Sequence, residues 1–198
     1  MLRFYLTILC ALAIGIGLGG ASAWYSLRQT HSFGGINIGA WTAWPFVSGG
    51  NADPYTIAKV VRDGNIPLGA AEGLAFEAHA DDNGDALLFN CDYILSGQTP
   101  PARVWTLAAY HENGSLVKTS NSGKSAVYSG NIIRFGESGF RVNISTTPVA
   151  GNWLSVNESG NTNKTFYLML RLYDTPSTST TGLVSRRMPT ILRGECLQ

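Results

Sequence analysis

Hydrophobic positions along the chain follow three regimes. The first is continuous: residues 4–23 carry no charge. At ~1.5 Å rise per residue such a run makes about 30 Å of helix, the thickness of a hydrocarbon core. Arg3 precedes the run, and Trp24 and Tyr25 follow it. A basic residue before and aromatics after fit an uncleaved anchor with a cytoplasmic N-terminus, crossing the membrane through residues 4–24. The competing reading is a signal peptide cleaved near Ala23, because Ala21-Ser22-Ala23 resembles a small-residue cleavage site. The run exceeds the usual ~7–15-residue signal core, which favours the anchor. Cys10 follows Thr7-Ile8-Leu9 and lacks the small residues of a lipoprotein site.

The second regime is helical and short. Tyr55, Ile57, Ala58, Val60 and Val61 recur at spacings of three and four. Asp53 suits the N-cap, Pro54 the first helical position, and Gly64 the left-handed C-terminal position. A helix of about three turns must dock to persist.

The third regime has period two. Leu74, Phe76 and Ala78 alternate with polar neighbours, and Leu87, Phe89, Cys91, Tyr93 and Leu95 define one face of a long strand. Residues 104–110 and 132–135 read as further strands. Phe140, Val142 and Ile144 share a face, as do Phe166, Leu168, Leu170 and Leu172. Asn83-Gly84, Asn113-Gly114 and Glu137-Ser138-Gly139 supply tight connections. Strands joined by hairpins rather than helices predict a mainly β fold. The architecture expected is an antiparallel β-sandwich or jelly-roll-like domain with one short N-terminal helix, preceded by a single transmembrane helix. The organisation is then an anchor or signal segment (1–25), a stalk leading into the domain (26–50) and the β-sandwich (51–198).

Composition narrows the partners. The 198 residues carry 14 basic and 13 acidic side chains, so the basic excess of a dedicated nucleic-acid binder is missing. Past the apolar run two cysteines remain, Cys91 and Cys196. In an oxidising compartment such a pair reads as one disulfide that ties down the C-terminal tail; two buried thiols are the alternative.

Candidate chemistry is sparse. Asp81-Asp82-Asn83-Gly84-Asp85 reads as a hairpin rather than a calcium loop, because the spacing and the distal glutamate of an EF-hand are missing. His31, His79 and His111 show no metal spacing, so no metal site and no cofactor is expected. No G-x-S-x-G occurs, and Gly123-Lys124-Ser125 lacks the strand–loop–helix setting of a phosphate loop. Paired carboxylates for glycoside hydrolysis would have to come from Glu72, Glu77, Asp92 or Glu112. No catalytic set is assigned. On the strand at 166–173, Tyr167, Met169, Arg171 and Tyr173 project together. An arginine among aromatics can stack and hydrogen-bond, and Trp105 and Trp153 could add apolar walls. Arg171, Tyr173, Trp105, Trp153 and Glu72 are therefore the candidate ligand contacts. A face covered by other chain, with Arg171 held structurally, is the bland alternative.

Several segments together resemble a known bacterial family. They are Ala52-Asp53-Pro54-Tyr55, Pro67-Leu68-Gly69-Ala70-Ala71-Glu72-Gly73, Leu95-Ser96-Gly97, Pro100-Pro101-Ala102-Arg103-Val104-Trp105-Thr106-Leu107, Asn152-Trp153-Leu154 and Leu170-Arg171-Leu172-Tyr173. In order and spacing they are similar to the family called domain of unknown function 1214, over most of residues 36–196. Ser155 departs from the pattern, which usually has proline there. The resemblance implies a jelly-roll-like β domain, in short members behind an N-terminal hydrophobic anchor. It implies no established reaction and brings no catalytic residues.

The expectation is a single-pass inner-membrane protein whose domain faces the periplasm and binds a glycan, a lipid or an envelope protein. An envelope hydrolase acting on a saccharide or lipid, or an accessory subunit of a larger envelope protein, is the alternative.

Overall fold

The computed structural model describes residues 2–28, 35–45, 47, 53–63, 68, 72–119, 124–136, 139–157, 164–175 and 187–196. In chain order the elements are helix α1 (Leu2–Arg28), strands β1 (Ile36–Ile38) and β2 (Trp41–Ala43), and helix α2 (Pro54–Asp63). Strands β3 (Gly73–Ala78), β4 (Cys91–Gly97), β5 (Val104–His111), β6 (Ala126–Tyr128) and β7 (Arg134–Phe135) follow. The chain continues through β8 (Gly139–Ser145), β9 (Trp153–Ser155), β10 (Phe166–Tyr173) and β11 (Thr190–Cys196). The fold is mainly antiparallel β in two sheets, as expected. One sheet runs β1-β2-β3-β10-β5-β6; the other runs β11-β4-β8-β7, with β9 beside β8. Only β8 and β9 pair in parallel among the described strands.

Period-two patterning builds the core. Leu168, Leu170 and Leu172 of β10 stand in register with Ala78, Phe76 and Leu74 on β3. On the other side they face Ala109, Leu107 and Trp105 on β5. All are buried and meet Tyr93, Leu95, Phe140, Val142, Ile144 and Ile191 of the second sheet. Ring pairs bridge the layers: Trp105 lies 4.9 Å from Phe140 and Tyr93 5.9 Å from Phe166. Burying each large apolar side chain stabilises the fold by ~1.5–3 kcal/mol. At one end the buried Trp41 Nε1 donates to the Pro189 carbonyl at 2.8 Å, tying β2 to the lead into β11.

Helix α1 is apolar and exposed from Arg3 to Ser26, long enough to cross a membrane. Helix α2 has the expected cap: Asp53 Oδ2 accepts from the Thr56 backbone N–H at 2.9 Å. Gly64 lies outside the described residues, as do His31, Gly123, Glu137 and Ser138.

Two details differ from the sequence reading. The long strand expected through Leu87 and Phe89 begins only at Cys91. The Cys91 N–H turns back onto the Leu88 carbonyl at 3.2 Å, and the Leu88 N–H is taken by the Tyr93 hydroxyl at 2.8 Å. Leu87 and Phe89 stay buried, so the alternation reports burial across a break in the strand. Secondly, residues 132–135 shrink to the two-residue β7. Within the stretch read as stalk and domain entry, β1 and β2 form the edge of the six-stranded sheet, turned by Gly39 at φ 61°. Strands of three residues are too short for a period to show.

The pair Cys91 and Cys196 forms a disulfide across a sequence separation of 105. It closes the edge where β11 pairs with β4. The acidic hairpin is fixed nearby. Asp81 Oδ1 accepts the backbone N–H of Asn83 at 3.0 Å and of Asp85 at 3.1 Å, and Gly84 takes φ 88°. Asp82 Oδ2 accepts the Ile191 N–H at 2.7 Å, so the hairpin clasps β11.

Candidate functional site

The outer face of the six-stranded sheet gathers the chemistry. Side chains alternate, so Tyr167, Met169, Arg171 and Tyr173 of β10 turn away from the core. Register places Tyr110 opposite Tyr167 on β5 and Glu77 opposite Met169 on β3. His79 follows Glu77 by one period just past the end of β3, and Glu112 follows Tyr110 by one period just past the end of β5.

These positions converge over the start of β10. His79 Nε2 lies 3.5 Å from Glu77 Oε2, and its Nδ1 lies 3.3 Å from Glu112 Oε2. The imidazole stacks on Tyr167 with ring centroids 4.7 Å apart, and Tyr167 stacks on Tyr110 at 5.6 Å. Arg171 Nη1 donates to the Tyr110 hydroxyl at 3.0 Å, with its guanidinium 5.7 Å from the centre of the Tyr110 ring. Burial lowers the pKa of His79, but hydrogen bonds and charge from Glu112 and Glu77 outweigh it and raise it from 6.5 to about 9. The ring is therefore an imidazolium held between two carboxylates at neutral pH. Burial is also the main cause pushing the Tyr167 phenol well above its ordinary range, with Glu77 adding to it.

Exposure grades across the cluster. Tyr167 and Met169 are buried, Arg171 and Tyr110 are half-buried, and the Glu112 side chain is 46% exposed.

The five residues expected to form a platform do not assemble as one. Arg171 belongs to the cluster. Tyr173 lies on the same face at the other end of β10, opposite Gly73. Glu72 is exposed just before β3, and its carbonyl accepts the Asp174 N–H at 2.8 Å. Trp105 pairs with Leu172, which points inward, so it sits in the core at 2% exposure rather than beside Arg171. Trp153 is in the other sheet, where its Nε1 donates to Ser145 Oγ at 3.0 Å. Of the four candidate carboxylates, Glu77 and Glu112 come together. Asp92 lies on β4, its carboxyl pushed up by burial and by the charge of Glu195. His111 packs against Phe89, with ring centroids 5.5 Å apart.

Fold and face together define a two-sheet β-sandwich behind an apolar N-terminal helix, with an acid–imidazolium–aromatic cluster on one outer sheet. The chain belongs to the family described as "Protein of unknown function (DUF1214)", whose model matches residues 72–177. Two solved structures are similar to it. The VPA0106 protein from Vibrio parahaemolyticus is 19% identical, with TM-score 0.57 over 74% of this chain and 36% of that one. An uncharacterised protein from Burkholderia cenocepacia is 16% identical, with TM-score 0.42 over 76% of this chain and 46% of that one. The chain thus spans less than half the length of either. The first likeness concerns the fold. No curated protein matches.

Proposed function

We propose that this chain is a membrane-tethered envelope protein whose β-sandwich binds a glycan on the outer face of the six-stranded sheet. The observation that carries this is the contact set of Glu112, His79, Arg171, Tyr110 and Tyr167. Hydroxyl-rich ligands need fixed donors and acceptors beside an apolar ring, and this face offers a guanidinium, an imidazolium and carboxylates around stacked tyrosines. Arg3 before the apolar helix and Trp24 and Tyr25 after it favour a single pass through the inner membrane with the domain in the periplasm. The disulfide suits that oxidising compartment. Export with cleavage near Ala23 is the alternative address, and the mass of the mature N-terminus separates the two.

A hydrolase reading is less well supported. Glycoside hydrolysis wants one carboxyl as acid and another as base or nucleophile. Here Glu77 and Glu112 both engage the same imidazolium.

The test is thermal unfolding of the full chain in detergent micelles against envelope saccharides. A ligand at 100 times its dissociation constant adds ~2.7 kcal/mol and raises the midpoint. The expected result is a dose-dependent shift that Arg171→Ala abolishes. No shift with any saccharide, or a shift that survives Arg171→Ala, overturns the reading.

A further inference from the structure

A second face of the molecule carries a cavity unrelated to the cluster above. It lies on the second sheet where β7 meets β8, has a volume of about 310 Å3, and is lined by Ser96, Phe135, Gly139, Phe140 and Arg141. That is the small end of the ~300–1,000 Å3 range of ligand pockets.

Register explains why a hollow forms here. Phe135 pairs with Gly139, and Arg141 pairs with Ser96. These four positions share the outer face. Gly139 brings no side chain, so the space between the Phe135 ring and the Arg141 side chain stays open. Filling it is crowded, because a Cβ on Gly139 would stand 3.0 Å from the Phe135 carbonyl oxygen. Phe135, 59% exposed, is a free-standing apolar wall, while Phe140, between Gly139 and Arg141, turns its ring inward against Trp105.

The polar side of the hollow is the pair Arg141 and Ser96. Arg141 of β8 stands opposite Ser96 of β4, which stands opposite Thr190 of β11. Ser96 Oγ and Thr190 Oγ1 lie 3.3 Å apart. Arg141 is exposed, and its guanidinium contacts no acidic or carbonyl partner among the described residues. A guanidinium offers a planar fork of donors that matches a carboxylate in bidentate geometry.

The walls are held without a ligand. Asn152 is 7% exposed, and its amide binds the backbone of Ile133, just before β7, and the carbonyl of Arg141 on β8. A site whose walls are already fixed loses less entropy on binding.

We propose that this cavity binds a small amphiphilic anion: a carboxylate carried on a short acyl or aryl body. The carboxylate pairs with Arg141 and reaches the Ser96 hydroxyl. The apolar body lies against Phe135.

Calorimetric titration of the full chain in phosphatidylcholine nanodiscs tests this, with empty nanodiscs as the reference for partitioning into lipid. The probes are octanoate, phenylacetate, octanol and inorganic phosphate. The expected result is saturable binding of both carboxylates, with at least tenfold weaker binding of octanol and phosphate. Arg141→Gln and Phe135→Ser each weaken carboxylate binding at least tenfold while leaving the unfolding midpoint in place, since both side chains are exposed. Arg171→Ala, on the other sheet, leaves it unchanged. Absence of saturable carboxylate binding overturns the proposal. So does octanol or phosphate binding as tightly as octanoate, or octanoate binding unaltered in Arg141→Gln.

Discussion

Asn152 and Ile133 are joined through both ends of one amide: Asn152 Oδ1 accepts the Ile133 N–H at 2.7 Å, and Asn152 Nδ2 donates to the Ile133 carbonyl at 2.8 Å. The same Nδ2 donates to the Arg141 carbonyl at 2.8 Å. A side chain thus replaces a strand partner for the segment leading into β7. Asn152→Ala leaves three backbone groups without partners at a largely buried site, each worth ~1–3 kcal/mol if it stays unsatisfied. With partial access of water, the expected loss is about 2–4 kcal/mol, read by denaturant unfolding. A loss under about 0.5 kcal/mol would mean that water substitutes fully.

The disulfide closes a loop of 105 residues. On the chain-entropy relation that is worth ~4–5 kcal/mol, and less where the reduced chain keeps residual structure. Alkylation in denaturant without reductant is expected to label Cys10 alone, because Cys91 and Cys196 are blocked. After reduction, β11 loses its covalent tie to β4. Hydrogen exchange is expected to rise first over residues 190–196, where most side chains are exposed.

Arg193 and Asp81 form the ionic half of the same clasp. Arg193 Nε lies 3.2 Å from Asp81 Oδ2 in an ion-pair contact without hydrogen-bond alignment, and its Nη2 donates to the Ala86 carbonyl at 2.6 Å. The Asp81 carboxylate is fully buried while Arg193 remains a quarter exposed. Removing the arginine strands a buried charge, so Arg193→Met is expected to destabilise by about 3 kcal/mol. The double variant Asp81→Asn/Arg193→Met is expected to recover part of that loss. A loss in the double variant equal to the sum of the losses in Asp81→Asn and Arg193→Met alone would show that the pair is not coupled.

The legible part of this fold was whatever recurs over six or more residues. Strand β10 alternates through eight positions and gave its inward and outward faces directly. The Asp53 cap and the turns at Gly84 and Gly114, at φ 88° and 81°, were readable because each rests on one residue's chemistry. Strands β1, β6 and β9 have three residues each, which is too few for a period. Strand β11 is mostly exposed and shows no clear alternation. The site was half legible. Arg171 and Tyr167 could be placed on one face from their own strand. That Glu77, His79 and Glu112 meet above Tyr167 follows only from the strand order β3-β10-β5, which brings together residues 33 to 90 positions apart. Trp105 was misplaced for a related reason. Its face depends on its register with Leu172, and no turn joins β5 to β10 to fix that register locally.

His79 gives the fold a pH dependence of determinate sign. Its pKa rises from 6.5 to about 9 in the folded chain, because contacts with Glu112 and Glu77 outweigh the burial that lowers it. A group whose folded pKa is raised stabilises the folded state most where both states are protonated. That contribution is complete below about pH 6.5 and disappears as pH climbs through about 9. Its ceiling is ~3 kcal/mol, and solvent screening lowers it because 32% of the side chain is exposed. The unfolding midpoint is therefore expected to fall between pH 6.5 and pH 9 more steeply in the native chain than in His79→Gln. Taking the difference between the two chains removes the lysine and tyrosine titrations common to both. Glu112→Gln is expected to reduce the slope without eliminating it, since Glu77 still faces Nε2. Parallel pH profiles for native and His79→Gln chains would mean that the imidazolium contributes nothing to holding the end of β3 against the end of β5.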